Sequence, residues 1–339
     1  MDATDHDPIV VIGDIAHIEA ASNSGPRANK LKPTKERDEY DNLILLCKNC
    51  HTRLDGQKHT NTVDAIRQLR NNHEAWVRAS LPERGRSTIA WKVVILQGRH
   101  PIDAELTLAA LSPDFPTLAP EIITANPGTQ SWEILYTALA DRVASLFAEN
   151  YSFNCRFAVF PLAPVSACIA LGYLLTNRPH VRLFQYHRDE KSWSWPNDSN
   201  PRNQITISGL PDAPTLDEVE VAFCFHLSAT ITDNTLAETG KAFARVIHVS
   251  IDRPNTGWLR EEAQLTELAK AVRQLFETCV SLYPNCFKWD FFCAVPAPVA
   301  VAIGQQINPT MTPLVQLYEF VHSATPAYQP SMLLKENVK

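Results

Sequence analysis

The sequence predicts an α/β chain, in which a small module of two strands and a helix precedes a larger region of two strand–helix lobes. Three observations predict it. Two short apolar runs in the first fifty residues flank a long polar loop and lead into a helix. From about residue 90 onward, strand-like and helix-like segments alternate, the pattern of a mainly parallel sheet. Finally, a stretch within this second region occurs twice.

Taken in order, residues 8–18 (PIVVIGDIAHI) are rich in β-branched side chains and read as a strand. Residues 19–41 form a polar loop containing Gly25-Pro26, residues 42–46 an extended run, and residues 47–55 the turn into a helix. Residues 62–80 are helical, with Ala65, Ile66, Leu69, His73, Trp76 and Val77 on one face. Residues 83–89 read as a linker between a first domain, 1–82, and a second, 90–339, whose lobes cover about 90–215 and 216–339. In the second domain strands are expected at 91–97, 156–160, 181–186, 219–227, 244–251, 291–295 and 314–320. Helices are expected at 132–148, 165–176, 265–283 and 299–306.

The repeat aligns residues 156–186 with 288–318 without a gap, matching Pro164 to Pro296, Gly172 to Gly304 and Tyr186 to Tyr318. Each copy runs strand, Pro-containing turn, helix, Gly, Pro-containing link, strand, so the lobes read as two related Rossmann-like units. Ligands of open α/β sheets bind beyond the carboxyl ends of the strands. That rule selects residues 161–164 and 295–298, together with Arg99 and His100 as phosphate contacts. Pro161, Tyr186, Ser228 and Thr230 are further candidates near strand ends. Trp193 and Trp195 are candidates to stack on a base, an interaction of about 1–3 kcal/mol. The turns lack G-x-G-x-x-G, which disfavours a dinucleotide-cofactor dehydrogenase.

Composition excludes several classes. The net charge of −6 argues against coating DNA by bulk electrostatics. Residues 1–88 are balanced, with 13 basic and 13 acidic groups, so the remainder carries the whole excess. Arg27, Lys30, Lys32, Lys35 and Arg37 cluster in the first loop, as phosphate contacts or as a solvated surface. No apolar run approaches the roughly 20 residues of a membrane span, and the N-terminus lacks signal-peptide form. Eight irregularly spaced cysteines suggest reduced thiols in a cytoplasm rather than a disulfide framework.

Phosphodiester hydrolysis needs an activated water, relief of phosphate charge and help for the leaving oxygen, which an imidazole and a divalent ion supply. His17 in Ala-His-Ile, Asn42 before Leu43–Leu46, and His51 in Cys-Lys-Asn-Cys-His are followed by Leu54-Asp55, with Gly-Pro-Arg between the first two. This arrangement resembles the HNH endonucleases, a ββα-metal fold. The resemblance implies His17 as base and His51 as metal ligand, with Asn42 either binding the ion or orienting the His17 loop. The position before the base, often Asp or His in that family, is Ala16 here; Asp14 is the nearest carboxylate and takes the ligand role instead. The ion is expected to be Mg²⁺ or another divalent cation. Cys47 and Cys50 are half of a structural Zn²⁺ site, which needs about four ligands. No cysteine precedes them; the resemblance implies either an upstream pair in a segment N-terminal to Met1 or a form without structural zinc.

Residues 90–339, through FAVFPLAPVSACIALGYLL and its second copy, resemble the SAVED domain, two fused CARF-like lobes that sense cyclic oligonucleotides in bacterial anti-phage (CBASS) systems. The joint resemblance implies an endonuclease switched on by a cyclic dinucleotide from a partner nucleotidyltransferase. It would degrade double-stranded DNA as a homo-oligomer, a dimer or tetramer, away from membranes. One alternative is a nucleotide-sensing regulator with an inactive HNH-fold DNA-binding module, which Ala16 favours. Another is a nuclease dependent on DNA modification, which the acidic C-terminal region opposes.

Overall fold

The computed structural model describes residues 13–80, 89–148, 155–196, 204–217 and 219–334, without the side chains of 75–80 and 148. Residues 8–12 of the first expected strand, residues 83–88 of the expected linker, and the side chains of Trp76 and Val77 lie outside that description. The chain divides into two compact units, Met1–Ser87 and Thr88–Lys339.

The first unit contains β1 (Gly13–His17), α1 (Thr34–Arg37), β2 (Leu43–Cys47), α2 (Lys48–Gly56) and α3 (Val63–Ser80). β1 and β2 pair antiparallel, with Ala16 opposite Ile44 and Ile15 opposite Leu45. Side chains alternate across a strand, so Ala16 and Ile44 turn inward and, with Ile18, pack on Leu54 of α2 and Ile66 of α3. Ile15 and Leu45 face outward, and Leu69 of the expected apolar helix face is also exposed. The 18–42 loop folds back on itself. Buried Arg37 donates to the carbonyls of Ala21, Asn29 and Lys32 and to Asn23 Oδ1. Arg27 donates to the carbonyls of Ile18 and Leu54 and to Asp55. Lys32 pairs with Glu19 at 3.1 Å. These three basic groups therefore hold the loop, which corrects their reading as phosphate contacts; Lys30 and Lys35 remain exposed.

The second unit runs β3 (Ala90–Gln97), α4 (Ala104–Leu111), β4 (Phe115–Pro116), β5 (Glu121–Thr124), α5 (Trp132–Ala148), β6 (Arg156–Leu162), α6 (Val165–Leu175) and β7 (His180–Leu183). It continues with β8 (Ile205–Ser208), β9 (Glu220–His226), α7 (Asp233–Ala237), β10 (Arg245–Ile251), α8 (Glu262–Leu282), β11 (Lys288–Ala294), α9 (Ala297–Gln306), β12 (Leu314–Phe320) and β13 (Tyr328–Leu334). The first sheet is parallel: β4 and β5 share one edge of β3, followed by β6 and β7. The second has the order β13-β12-β11-β9-β10-β8, parallel in its four central strands and antiparallel at both edges. The fold is thus α/β, with one parallel and one mixed sheet. One boundary moves. β8 pairs with β10 of the second sheet, so the lobe division expected near 215 falls before Ile205. Four residues make too short a strand to reveal its sheet from sequence.

One core unites the lobes. α5, α6, α8 and α9 bury their apolar faces against the inner faces of both sheets. The outer faces carry smaller cores, around Trp91, Phe160 and Trp193 in the first lobe and around Cys224, Phe292 and Tyr328 in the second. At the centre the two repeat helices cross backbone to backbone. A Cβ on Gly172 would lie 2.0 Å from the Val301 carbonyl oxygen, and one on Gly304 would lie 2.0 Å from that of Ile169. The two glycines that align in the repeat are therefore the two halves of one pseudo-twofold contact.

Candidate functional site

In the first unit the antiparallel hairpin and α2 bring polar groups together. Asp14 lies on the inward-facing side of β1, next to α2. His51 stands one turn into α2, with Nδ1 3.4 Å from Asp14 Oδ2 and Nε2 3.4 Å from Asp55 Oδ2. A neutral imidazole carries one proton, so one of those nitrogens meets a carboxylate lone pair to lone pair. Asp55 is already held by Arg27 at 2.6 Å. A cation between Asp14 and His51 would satisfy the remaining side, and a set of carboxylate oxygens with one imidazole suits a divalent ion.

His17, at the end of β1, has Nε2 2.8 Å from Asp38 Oδ1. A carboxylate only accepts, so Nε2 carries a proton in this contact and Nδ1 is the nitrogen that can take one as a general base. Asn42 is fully buried. Its Oδ1 accepts from the Glu19 amide at 2.9 Å, and its Nδ2 donates to the Glu19 and Arg37 carbonyls at 2.8 Å each. Of the two roles left open for Asn42, this bonding is that of orienting the loop after His17. Its oxygen is not presented to an ion, which corrects its placement among the metal ligands.

Cys47 caps α2, its Sγ accepting the Cys50 amide at 3.4 Å. Bonds from Cys50 lower the Cys47 thiol's pKa, and Cys47 in turn raises that of Cys50. Both are free thiols.

In the second unit two cavities open beyond the carboxyl ends of the strands. One of about 710 Å³ lies past β3, β5 and β6 and is lined by Arg99, Trp132, Pro164, Glu319 and His322 among others. The other, of about 390 Å³, lies past β6, β7, β9 and β11 and is lined by Pro161, Tyr186, Arg188, Ser228, Arg260 and Pro296 among others. Leu162 and Ala163 line both, so the 161–164 turn divides one groove into two compartments. Arg260 pairs with Glu190 at 2.7 Å.

The sequence candidates divide accordingly. Arg99 faces the larger compartment, and Pro161, Tyr186 and Ser228 face the smaller. His100, Thr230 and Trp195 line neither. Trp193 is 2% exposed and packs edge-on to Phe160 and against Tyr186. It is a core residue, which corrects its reading as a base-stacking platform: its neighbours come from β6 and the segment after β7, and local sequence does not reveal them.

A further group of donors lies on β9 and β10. One ligand atom each of Cys224, His226 and His248 fall within 4.8 Å of one another, a sulfur and two nitrogens that could hold a metal ion. Their bonding argues otherwise. The Ile231 amide donates to His226 Nδ1 at 2.9 Å, which puts that ring's proton on Nε2, facing His248 Nδ1 at 2.9 Å. An ion on His226 Nε2 would force a proton onto Nδ1, against the Ile231 amide. Burial, with His248 beside it, lowers the pKa of His226 against the pull of Asp233, and burial pushes the Cys224 thiol up to about 12.

Sequence reasoning passed over Asp38, Asp55, Arg188, Arg260 and Glu319. Only Asp55 left a local signal, its i, i+4 spacing from His51 on one helix. Among the described residues, no helix is long and apolar enough to cross a membrane.

Two family models match the chain. That of the SAVED domain (SMODS-associated and fused to various effectors sensor domain) matches residues 135–334. That of the HNH endonucleases matches residues 17–57. No curated protein matches. Among solved structures, the Acinetobacter baumannii Cap4 SAVED/CARF-domain containing receptor with the cyclic trinucleotide 2'3'3'-cAAA is similar at 13% identity and a TM-score of 0.47, over 86% of this chain and 63% of that one. The Moraxella osloensis Cap4 SAVED/CARF-domain containing receptor is similar at 14% identity and a TM-score of 0.42, over 89% and 63%. The chain thus spans less than two thirds of the length of these receptors.

Proposed function

Because the chain belongs to the SAVED sensor family and carries an HNH endonuclease match ahead of that domain, we propose that it is a metal-dependent DNA endonuclease of bacterial anti-phage defence, activated by a cyclic dinucleotide. In this reading residues 1–82 cut and residues 90–339 sense. The observation that supports it most is the meeting of Asp14 and His51, whose carboxylate oxygen and ring nitrogen lie 3.4 Å apart.

The roles follow from the geometry. Asp14 and His51 hold the divalent ion. When bound, the ion polarises the phosphate and stabilises the leaving oxygen. His17 takes the proton from the attacking water at Nδ1, while Asp38 holds the opposite nitrogen and offsets the imidazolium charge that develops. Asn42 fixes the loop that sets the direction of His17. Exposed Lys30 and Lys35 meet DNA phosphates. Cys47 and Cys50 hold a structural Zn²⁺ when two further ligands complete the site.

The ligand lies across the 161–164 turn, with Arg99 on one side and Tyr186 and Ser228 on the other. Compartments of this size suit two nucleotide halves. Ligand binding favours an assembled form, a dimer or tetramer, in which two cutting units reach opposite strands of double-stranded DNA. It does so only through a higher affinity for that form.

The test is plasmid cleavage with Mg²⁺, with and without a panel of cyclic di- and trinucleotides, alongside His17→Ala. Cutting with one nucleotide, lost in His17→Ala, is the expected result. No cutting under any condition, with a nucleotide still raising the melting temperature, would sink the nuclease reading and leave a sensor.

A further inference from the structure

We propose that Glu319 is a positioning residue that ties the ligand groove to the junction of the two lobes and keeps anionic ligand groups away from the start of α6. The proposal rests on the groove being the ligand site. Glu319 sits near the end of β12 in the second lobe. Its Oε1 accepts the Val165 amide at 3.2 Å and its Oε2 the Ser166 amide at 2.8 Å. These are the first two amides of α6, in the first lobe. Such amides have no partner within their own helix, and in α/β folds a ligand anion commonly takes them. Here a carboxylate of the chain already fills the place.

Four features give this contact a functional direction. α6 begins directly after the 161–164 turn, so the carboxylate holds the wall that divides the groove. Glu319 also lines the larger compartment, beside Arg99 and Trp132. Both carboxylate oxygens accept amide N–H groups, the pairing of an ionised carboxylate, and these Ser166 and Val165 bonds oppose the upward pull of burial on its pKa. Finally, the repeat is unequal at this point. Tyr186-His187 in the first copy aligns with Tyr318-Glu319 in the second, so the equivalent residue facing the smaller compartment is an imidazole. A second tie lies alongside: Ser166 Oγ meets Ser331 Oγ at 2.7 Å, and Ser331 bonds the Leu317 carbonyl at 2.9 Å. It joins the same two lobes without charge, and so serves as the control.

A phosphate in the larger compartment is accordingly left to Arg99 and repelled from the α6 amides. Glu319→Gln removes the negative charge and turns one donor toward an amide donor. Glu319→Asp keeps the charge but shortens the reach. Ser331→Ala cuts only the neutral tie. Affinity for each cyclic di- and trinucleotide of the panel is measured by calorimetry and stability by thermal unfolding, both on the full chain. Glu319→Gln is expected to tighten binding about tenfold, the effect of one like charge relieved in a partly solvated site, while melting earlier. Glu319→Asp and Ser331→Ala are expected to melt earlier with unchanged affinity. Binding by Glu319→Gln that is unchanged or weaker, or that rises equally in Glu319→Asp, overturns the proposal. A parallel titration uses inorganic pyrophosphate. If no cyclic nucleotide binds any variant, the sensor reading fails by itself. Pyrophosphate then still decides the role of Glu319: a larger thermal shift in Glu319→Gln than in the parent supports it, and equal shifts refute it.

Discussion

Gly172→Ala tests the central helix crossing. The added carbon would lie 2.0 Å from the Val301 carbonyl oxygen, 2.9 Å from its carbonyl carbon and 3.0 Å from the Gln305 amide nitrogen. Ordinary contact for such a pair is about 3.4 Å, so α6 and α9 must part locally by more than 1 Å. The obstacle is backbone, so no side chain can swing aside. Overpacking a core costs about 1–3 kcal/mol, and a backbone obstacle argues for the upper end. The helical gain of Ala over Gly, about 1 kcal/mol, offsets only part of it. A net loss of about 2 kcal/mol should lower the melting temperature of the second unit by about 4–8 °C. Gly304→Ala should do the same through Ile169. The double variant should cost less than the sum, because the first substitution has already separated the helices. Gly56→Ala, where a Cβ meets nothing within 4 Å, is the control and should be neutral or mildly stabilising. Calorimetry of the full chain reads all four. A Gly172→Ala protein that melts within 1 °C of the parent would refute the close crossing.

Asn42→Ala removes three hydrogen bonds from a buried site and should destabilise the first unit by about 2–3 kcal/mol in urea unfolding; unchanged stability with lost cleavage would instead make Asn42 an ion ligand. Lys241→Met strips fully buried Asp290 of its 3.0 Å ion pair. It should cost about 3 kcal/mol, since a buried charge left alone is penalised more than the pair is rewarded; a thermal shift under 2 °C would contradict it. The lowered pKa of His226 means that the folded chain binds fewer protons there than the unfolded chain. Stability should therefore fall as pH drops below about 6.5, toward the folded pKa. A melting series from about pH 7.5 to about 5.5, which crosses the ordinary histidine pKa of about 6.5, should be flatter in His226→Gln, and an equal slope in both would refute the assignment.

The parts of the fold legible in sequence were those whose signal is local. Strands such as Phe157–Phe160 and Phe291–Cys293 are unbroken apolar runs, and α8 carries an apolar face at helical spacing. The repeat marked Gly172 and Gly304 as equivalent, because both keep their place in an otherwise diverged pattern, but that they meet in one crossing depends on how the two lobes pack. β8 was missed: four residues carry no information about which sheet receives them. The candidate site of the first unit divides in the same way. His17 and His51 are set by motif spacing, but their carboxylate partners depend on how the 18–42 loop folds, which is decided by Arg27, Arg37 and Asn42. Trp193 misled because an aromatic near a strand end has the same composition whether it faces a ligand or a core. Glu319 was invisible because it acts across 154 positions of sequence.

In the proposed function, the same separation explains how ligand binding at the groove would be felt through the second unit. The turns at 161–164 and 295–298 both line the groove and both lead directly into the two helices that cross at Gly172 and Gly304. Backbone contact at that crossing leaves no soft side chain to absorb movement. A shift of either turn must then be carried by rotation of α6 against α9 or be resisted by the Glu319 and Ser331 ties. A ligand that converts a resting population of 1:99 into 99:1 must prefer the active arrangement by about 5.5 kcal/mol. One phosphate contact at Arg99 does not provide that. Contacts on both sides of the turn, acting on two helices that share one rigid crossing, add their preferences in a single coordinate. Loosening the crossing should therefore weaken activation more than it weakens binding, and Gly172→Ala provides the comparison: nucleotide affinity retained, with cleavage per bound nucleotide reduced.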